Sequence, residues 1–362
     1  MTIWGMGIML APIFGPMIGG FLTENYNWRW VFYINLPIGI PTFLLLWWLL
    51  PSRAITQRGF DIIGFSMLAI GLAALQLMLD RGQQVDWFDA WEIRIEAIVA
   101  LSALWIFFLH SRWGKNPLFS TALTSNANFM IALPFMLLVG IIMMAVFALL
   151  PPMLQGLRGY SVLDTGIILA PRGLGMLFAM SIVARLTMFV DPRVVIAFGC
   201  TLVATSLYLM TGWSLDITAW DIGVSGAIQG LGLGLMFMPL NLLAFSTLGP
   251  QHRTDGSSLS YLFRNLGGSI GISISTTLLA RNIQINHEEL GGRITSFNLP
   301  SIDLSSVDRF GDVGEAAMRI ADAQINQQAA MIAYLDDFKA MMVVTIIAIP
   351  FLMLLKVPKK AG

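Results

Sequence analysis

Long apolar runs separated by short polar breaks set the pattern of this chain. A helix needs about 20 predominantly apolar residues to cross the hydrocarbon core of a bilayer. By that measure ten spans are expected, near 2–22, 31–50, 61–79, 93–110, 128–150, 164–187, 193–212, 220–248, 257–281 and 338–357. The breaks carry turn and stop signals: Pro51, Asp80-Arg81-Gly82, Asn116-Pro117, Pro151-Pro152, Asp191-Pro192 and Gly249-Pro250. The span at 257–281 is the most polar, with Arg264 and Asn265 among many serines and glycines. The first span does not read as a signal peptide, because it lacks a basic leader and Pro12 and Pro16 interrupt it.

Composition narrows the class. Hydrophobic residues make up 56% of the 362 and charged residues 12%, about half the charged share of an ordinary soluble domain. A soluble fold of this size could not hide so much apolar surface. The expectation is an all-α polytopic membrane protein, not a cytosolic enzyme or a disordered chain. The 21 Lys and Arg balance the 21 Asp and Glu, so no basic field points to nucleic acid. One cysteine, Cys200, excludes an intrachain disulfide framework and any cysteine-based metal site.

Lys and Arg in short loops set orientation. With the N-terminus inside, the cytoplasmic connections and tail hold Arg53, Arg58, Arg112, Lys115, Arg185, Arg193, Arg253, Lys356, Lys359 and Lys360; the opposite short loops hold Arg29, Arg81 and Arg158. Both termini are therefore expected in the cytoplasm, with a long periplasmic connection at 282–335. Within it, residues 313–334 carry Ala, Met and Ile at helical spacing, which predicts an amphipathic helix lying on the outer face.

The first span holds Gly15-Pro16-Met17-Ile18-Gly19-Gly20. Pro16 removes a backbone donor, and Gly15 with Gly19 makes a flat strip for close helix approach. After a short loop comes Asn27-Trp28-Arg29-Trp30-Val31-Phe32-Tyr33-Ile34-Asn35-Leu36-Pro37-Ile38-Gly39. Together these resemble the fifth and sixth helices of drug:proton antiporters in the major facilitator superfamily. Further along, Leu79 to Trp87, Leu150 to Gln155, Pro171-Arg172-Gly173 and the run from Pro239 through Arg264-Asn265-Leu266-Gly267-Gly268-Ser269 resemble the EmrB/QacA type with fourteen helices. The resemblance implies that Gly15, Pro16, Gly19 and Gly20 form the antiporter motif. It implies that 1–50 is the last two helices of the N-terminal half, 51–127 the two extra helices with their cytoplasmic linkers, and 128–357 a complete six-helix C-terminal half made of inverted repeats. Its register leaves four helices unaccounted for ahead of the first span.

Polar groups inside spans are the natural site candidates. Arg172 lies about 12 Å into its span and Arg264 about 10 Å, at 1.5 Å per residue. Asn35, Gln155 and Asn241 are further candidates for substrate or gating contacts, with helix-to-helix hydrogen bonding as the plainer alternative; the same choice applies to Gln229 and Asn265. Met143, Met144, Phe147, Met236, Phe237 and Met238 could line an adaptable apolar pocket. No acid reads as mid-bilayer: Asp61, Glu96, Asp164 and Asp337 all stand near span ends, so the proton-coupling group is expected outside this stretch of the fold. The histidines lack metal-ligand spacing. No phosphate-binding GxxxxGK[ST] supports ATP-driven transport, and no cofactor is expected.

The resemblance implies an inner-membrane exporter of small hydrophobic drugs in exchange for protons, working by alternating access. It also implies a periplasmic adaptor of the membrane-fusion type and an outer-membrane channel as partners. An exporter of one metabolite or siderophore, and a non-transporting remnant, stand as alternatives. A membrane-embedded enzyme would need a His, Asp or metal cluster at a span end, and the sequence holds none. The topology is tested by cysteine labelling from outside: Ser305→Cys should react and Ser111→Cys should stay protected, and the reverse pattern would overturn the orientation.

Overall fold

The structure is a computed structural model that describes residues 15, 18–50, 59–114, 117–292 and 312–355. Among them every regular element is helical. The nine principal helices are α1 (Asn35–Leu49), α2 (Ile62–Arg81), α3 (Trp91–Trp113), α4 (Ala127–Arg158), α5 (Val162–Phe189), α6 (Pro192–Thr211), α7 (Ala219–Ser246), α8 (Arg253–Gly292) and α9 (Asp312–Phe351). A short helix, Trp30–Tyr33, leads into α1, and residues 18–25 are helical before it. Among the described residues eight helical stretches are long and apolar enough to cross a membrane. Of the other two expected spans, 257–281 is helical inside α8 but falls outside that set, and most of 2–22 lies outside the described residues.

Helices α4 to α9 share one apolar core. It runs from Phe129, Ile142 and Leu149 of α4 through Met180 of α5, Val203 of α6, Leu233 and Leu240 of α7, and Leu259 of α8 to Phe338 of α9. The helices approach closely where glycines remove the side chain. A Cβ on Gly230 of α7 would overlap the carbonyl oxygen of Arg172 on α5, and one on Gly175 of α5 would overlap that of Ala227 on α7. Gly199 of α6 and Gly232 of α7 face each other the same way, each bringing a would-be Cβ within 2.8 Å of the other's carbonyl oxygen. Gly267 of α8 sits against the Leu137 carbonyl of α4, and Gly140 of α4 against that of Arg264. Such seams suit a bilayer, where packing rather than water exclusion must drive helix association.

Side-chain hydrogen bonds fasten the same seams. Asn128 of α4 donates to the Leu243 carbonyl of α7 at 2.9 Å, and Ser206 of α6 to that of Ser225 at 2.7 Å. At one end of the bundle Arg158 donates to the carbonyls of Leu215 and Ile217. The α2–α3 hairpin docks on α8, where Ser273 donates to the Leu79 carbonyl at 2.8 Å. Helix α1 buries no residue among those described.

Helices α8 and α9 change one expectation. Residues 313–334 do not form a separate helix lying on the surface; they are continuous with the last span in the 40-residue α9. At 1.5 Å per residue each of these two helices is about 60 Å long, twice the hydrocarbon thickness. Their far ends pair with each other. Asn286 donates to the Ala329 carbonyl at 3.4 Å, His287 and Asp322 stand 3.0 Å apart, and Ala329, Met331, Ala333 and Tyr334 are buried. From Ala329 onward the apolar stripe read as a membrane-surface face thus packs inside the protein, while Ile320 before it is exposed. Residues 293–311 of the expected connection lie outside the described set.

Asp61 gathers the start of α2, the end of α3 and the following linker. Its carboxylate accepts from the Gly64 N–H at 2.8 Å and the Leu118 N–H at 3.0 Å, and contacts His110 Nε2 at 2.8 Å. Burial pushes the carboxyl up, but these hydrogen bonds and the His110 ring outweigh it and hold it below its ordinary value.

Two predictions arise from this packing. Gly230→Leu and Gly267→Leu should each lower thermal stability in detergent by at least the roughly 1–3 kcal/mol typical of overpacking. Gly156→Ala, in α4 with open space around it, should be neutral or stabilising by up to about 1 kcal/mol; equal loss in all three would deny the seams their role. Asp61→Ala should cost about 0.5–2 kcal/mol at neutral pH, as lost helix caps do. Because the folded-state carboxyl is depressed, its stabilisation is complete above the unfolded value of about 3.9 and fades as pH falls through the lower folded value. Thermal melts of wild type and Asp61→Ala should therefore converge on acidification, and a constant gap would remove the ionised clasp.

Candidate functional site

Pro171 lies inside α5, where it cannot donate to the helical ladder, and Arg172 follows it. The Arg172 side chain crosses to the middle of α4. It is 8% exposed; its Nη2 donates to the Met143 carbonyl at 3.4 Å, and its guanidinium stands 5.4 Å from the Phe147 ring centre. Behind it Gly226 and Gly230 leave the room that α5 needs to bring this residue against α7. Among the described residues no carboxylate forms an ion pair with it.

Arg264 of α8 flanks α4 on the other side, its backbone against Gly140, one turn from Met143. Its guanidinium lies 5.1 Å from the Phe237 ring centre and 4.8 Å from that of Tyr261, a spacing at which ring faces attract a cation. It too has no acidic ion-pair partner among the described residues. Two arginines therefore bracket the central turns of α4, with the half-buried Met143, Phe147 and Phe237 beside them. Met144 is partly exposed, while Met236 is core. The arrangement offers positive charge and polarisable apolar walls at mid-helix depth, which suits a bound anion with an apolar body.

The other candidates separate from this pair. Asn241 donates back to the Phe237 carbonyl of its own helix at 2.7 Å, and Asn35 to that of Val31 at 3.4 Å. Gln155 is half-buried at the far end of α4, and Asn265 is exposed. Gly20 meets the backbone of Val162 and Leu163 at the start of α5, where Glu24 accepts from the Leu163 N–H at 3.1 Å. Gly15 and Gly19 face open space among the described residues, and Pro16 lies outside them. Among the described glycines of this element, Gly20 is the one that meets α5.

The three-dimensional arrangement changes the reading of two groups. Gln229 of α7 is fully buried with neither amide atom partnered. Asp337, which stands at the edge of an apolar run in the sequence, is 2% exposed inside the continuous α9, with Oδ2 unpartnered. Helix periodicity could have flagged Asp337, three residues after Tyr334 and beside Phe338 on a buried face. The chain contains no cluster of metal-binding side chains among the described residues.

Residues 1–272 match the Major Facilitator Superfamily. The multidrug export protein EmrB of Escherichia coli (strain K12) is 31% identical over 346 residues, covering 93% of this chain and 67% of that protein. The fatty acid resistance protein FarB of Neisseria gonorrhoeae is 29% identical over 365 residues, covering 100% of this chain and 72% of FarB. Among solved structures, a bacterial homolog of the human lysosomal transporter Spinster aligns at 16% identity with a TM-score of 0.40, covering 82% of this chain and 69% of that one.

Proposed function

Since the chain belongs to the major facilitator superfamily, we propose that it exports small hydrophobic drugs across the inner membrane by alternating access in exchange for protons. It spans the membrane many times, and this reading puts both termini in the cytoplasm. The chain spans about two thirds of EmrB, so the activity is proposed for the protein of which these helices form part. A periplasmic adaptor and an outer-membrane channel belong to the same reading.

One observation carries the substrate class: Arg172 and Arg264 flank the middle of α4 without an acidic ion-pair partner among the described residues. A guanidinium stays charged in apolar surroundings, and an uncompensated charge there favours an anionic ligand. Lipophilic acids bring the carboxylate for the arginines and the apolar body for Met143, Phe147 and Phe237. FarB, named for fatty acid resistance, agrees with that chemistry. Asn35, Gln155 and Asn241 are secondary contacts in this reading, and Gly15, Pro16, Gly19 and Gly20 form its antiporter motif.

The test is resistance in cells lacking their own exporters. Arg172→Gln should lose resistance to lipophilic acids by about tenfold more than to lipophilic cations, as the loss of roughly 1.4 kcal/mol of selective binding would give. Arg172→Lys should retain part of it, since the charge survives while the planar donor fork does not. Equal loss for both drug classes would make Arg172 a structural residue.

A further inference from the structure

We propose that Asp337 is a proton-binding site of the transporter, placed in the seam where α9 meets α6 and α8. The inference rests on the proton-exchange reading above and supplies the carboxyl group that the sequence alone placed outside this stretch. Asp337 stands 14 residues before the end of α9 at Phe351, about 21 Å along the helix axis, so it lies within hydrocarbon depth measured from that end. Its neighbour Phe338 packs edge-on against Trp213, at 5.7 Å between ring centres, just past the end of α6. Trp213 and Phe338 are themselves buried, as are Tyr334 and Met341 one turn to either side of Asp337.

The electrostatic surroundings of Asp337 decide what it can do. On its own helix, Asp336 and Lys339 are exposed, and buried Tyr334 lies one turn away. Helix α6 carries only Arg193 at its far start, buried Cys200 eleven residues before its end, and the outward-facing Tyr208. In the loop after α6, Asp216 is exposed. The nearest cation of α4 is Arg158, which is engaged with the Leu215 and Ile217 carbonyls. On α8, Arg281 is exposed and His287 contacts Asp322. No cation forms an ion pair with Asp337 among the described residues. The antiparallel register set by Asn286 and Ala329 brings Thr277 to within about a turn of Asp337's level, and Thr277 Oγ1 is likewise buried without a partner.

An ionised carboxylate held in such a seam must be neutralised or wetted, since a buried unpaired charge is costly. With no resident cation, a proton from the aqueous phase at the Trp213 end neutralises it without displacing a side chain. When the seam opens, the carboxyl becomes hydrated and can release that proton. Binding and release use one O–H bond on Asp337, formed with a solvent proton and broken to solvent.

The experiment is infrared spectroscopy of the purified chain in lipid across a pH series, with Asp337→Asn and Asp337→Glu alongside. A neutral carboxylic acid carbonyl band that titrates with pH should appear in wild type. It should be lost in Asp337→Asn, one titrating group per chain, and displaced in Asp337→Glu. A wild-type titration without this one-group component, or one whose amplitude Asp337→Asn leaves unchanged, would overturn the proposal. If Asp337→Asn does not fold, the displacement in Asp337→Glu decides alone. The spectrum needs neither drug nor gradient, so a wild-type protein that shows the band yet moves no drug would overturn the efflux reading and leave the proton site standing.

Discussion

Backbone-to-backbone approach at glycine seams is the constraint on which the bundle depends. In a bilayer, lipid tails are as apolar as leucine side chains, so helices gain little by burying apolar surface on one another. What remains is dispersion at close range and hydrogen bonds that hydrocarbon cannot replace. Gly230 against Arg172, Gly199 against Gly232 and Gly267 against Leu137 bring helices to distances that any Cβ would prevent. At that separation Ser206 and Asn128 can reach carbonyls on neighbouring helices. The same closeness places the Arg172 backbone against α7 and directs its side chain toward α4. Packing and site therefore share one cause: shortening the α5–α7 distance positions a cation at the middle of the bundle.

Much of this architecture was legible in the sequence because its determinants are local. Span length, loop punctuation and apolar runs report directly on helices that must satisfy their own backbone in lipid. Gly226, Gly230 and Gly234 repeat at four-residue spacing, and all three face α5 in the structure. The stretch of α9 around Ala329 to Tyr334 was misread because an amphipathic stripe is the same whether it meets a headgroup layer or another helix. The deciding contacts, Asn286 with Ala329 and His287 with Asp322, lie more than 30 residues apart in the chain. The site was legible in part. Arg172 and Arg264 stand out as charges within apolar runs, but their shared relation to the middle of α4 depends on three helices at once. Asp337 escaped because a linear hydropathy reading places the edge of a span where apolar residues thin out. Here the helix continues through that edge and its buried face continues with it.

The buried polar groups fall into two sets, and the division bears on function. Asn128, Ser206 and Ser273 each donate to a carbonyl outside their own helix, so their desolvation is compensated and their effect is to fix helix positions. Gln229 and Asp337 keep buried atoms with no partner, and Arg172 has one long hydrogen bond and a ring face. A stable single-state bundle would gain by filling such sites with apolar side chains of similar volume. A transporter has a reason to keep them, because a group that is under-satisfied in one arrangement of helices can bind a ligand or proton in that arrangement and exchange it in another. The free energy left uncompensated in the resting bundle is then what makes binding state-dependent. On the proposals above, the satisfied groups hold the helix seams together and the under-satisfied ones are where substrate and proton are proposed to bind.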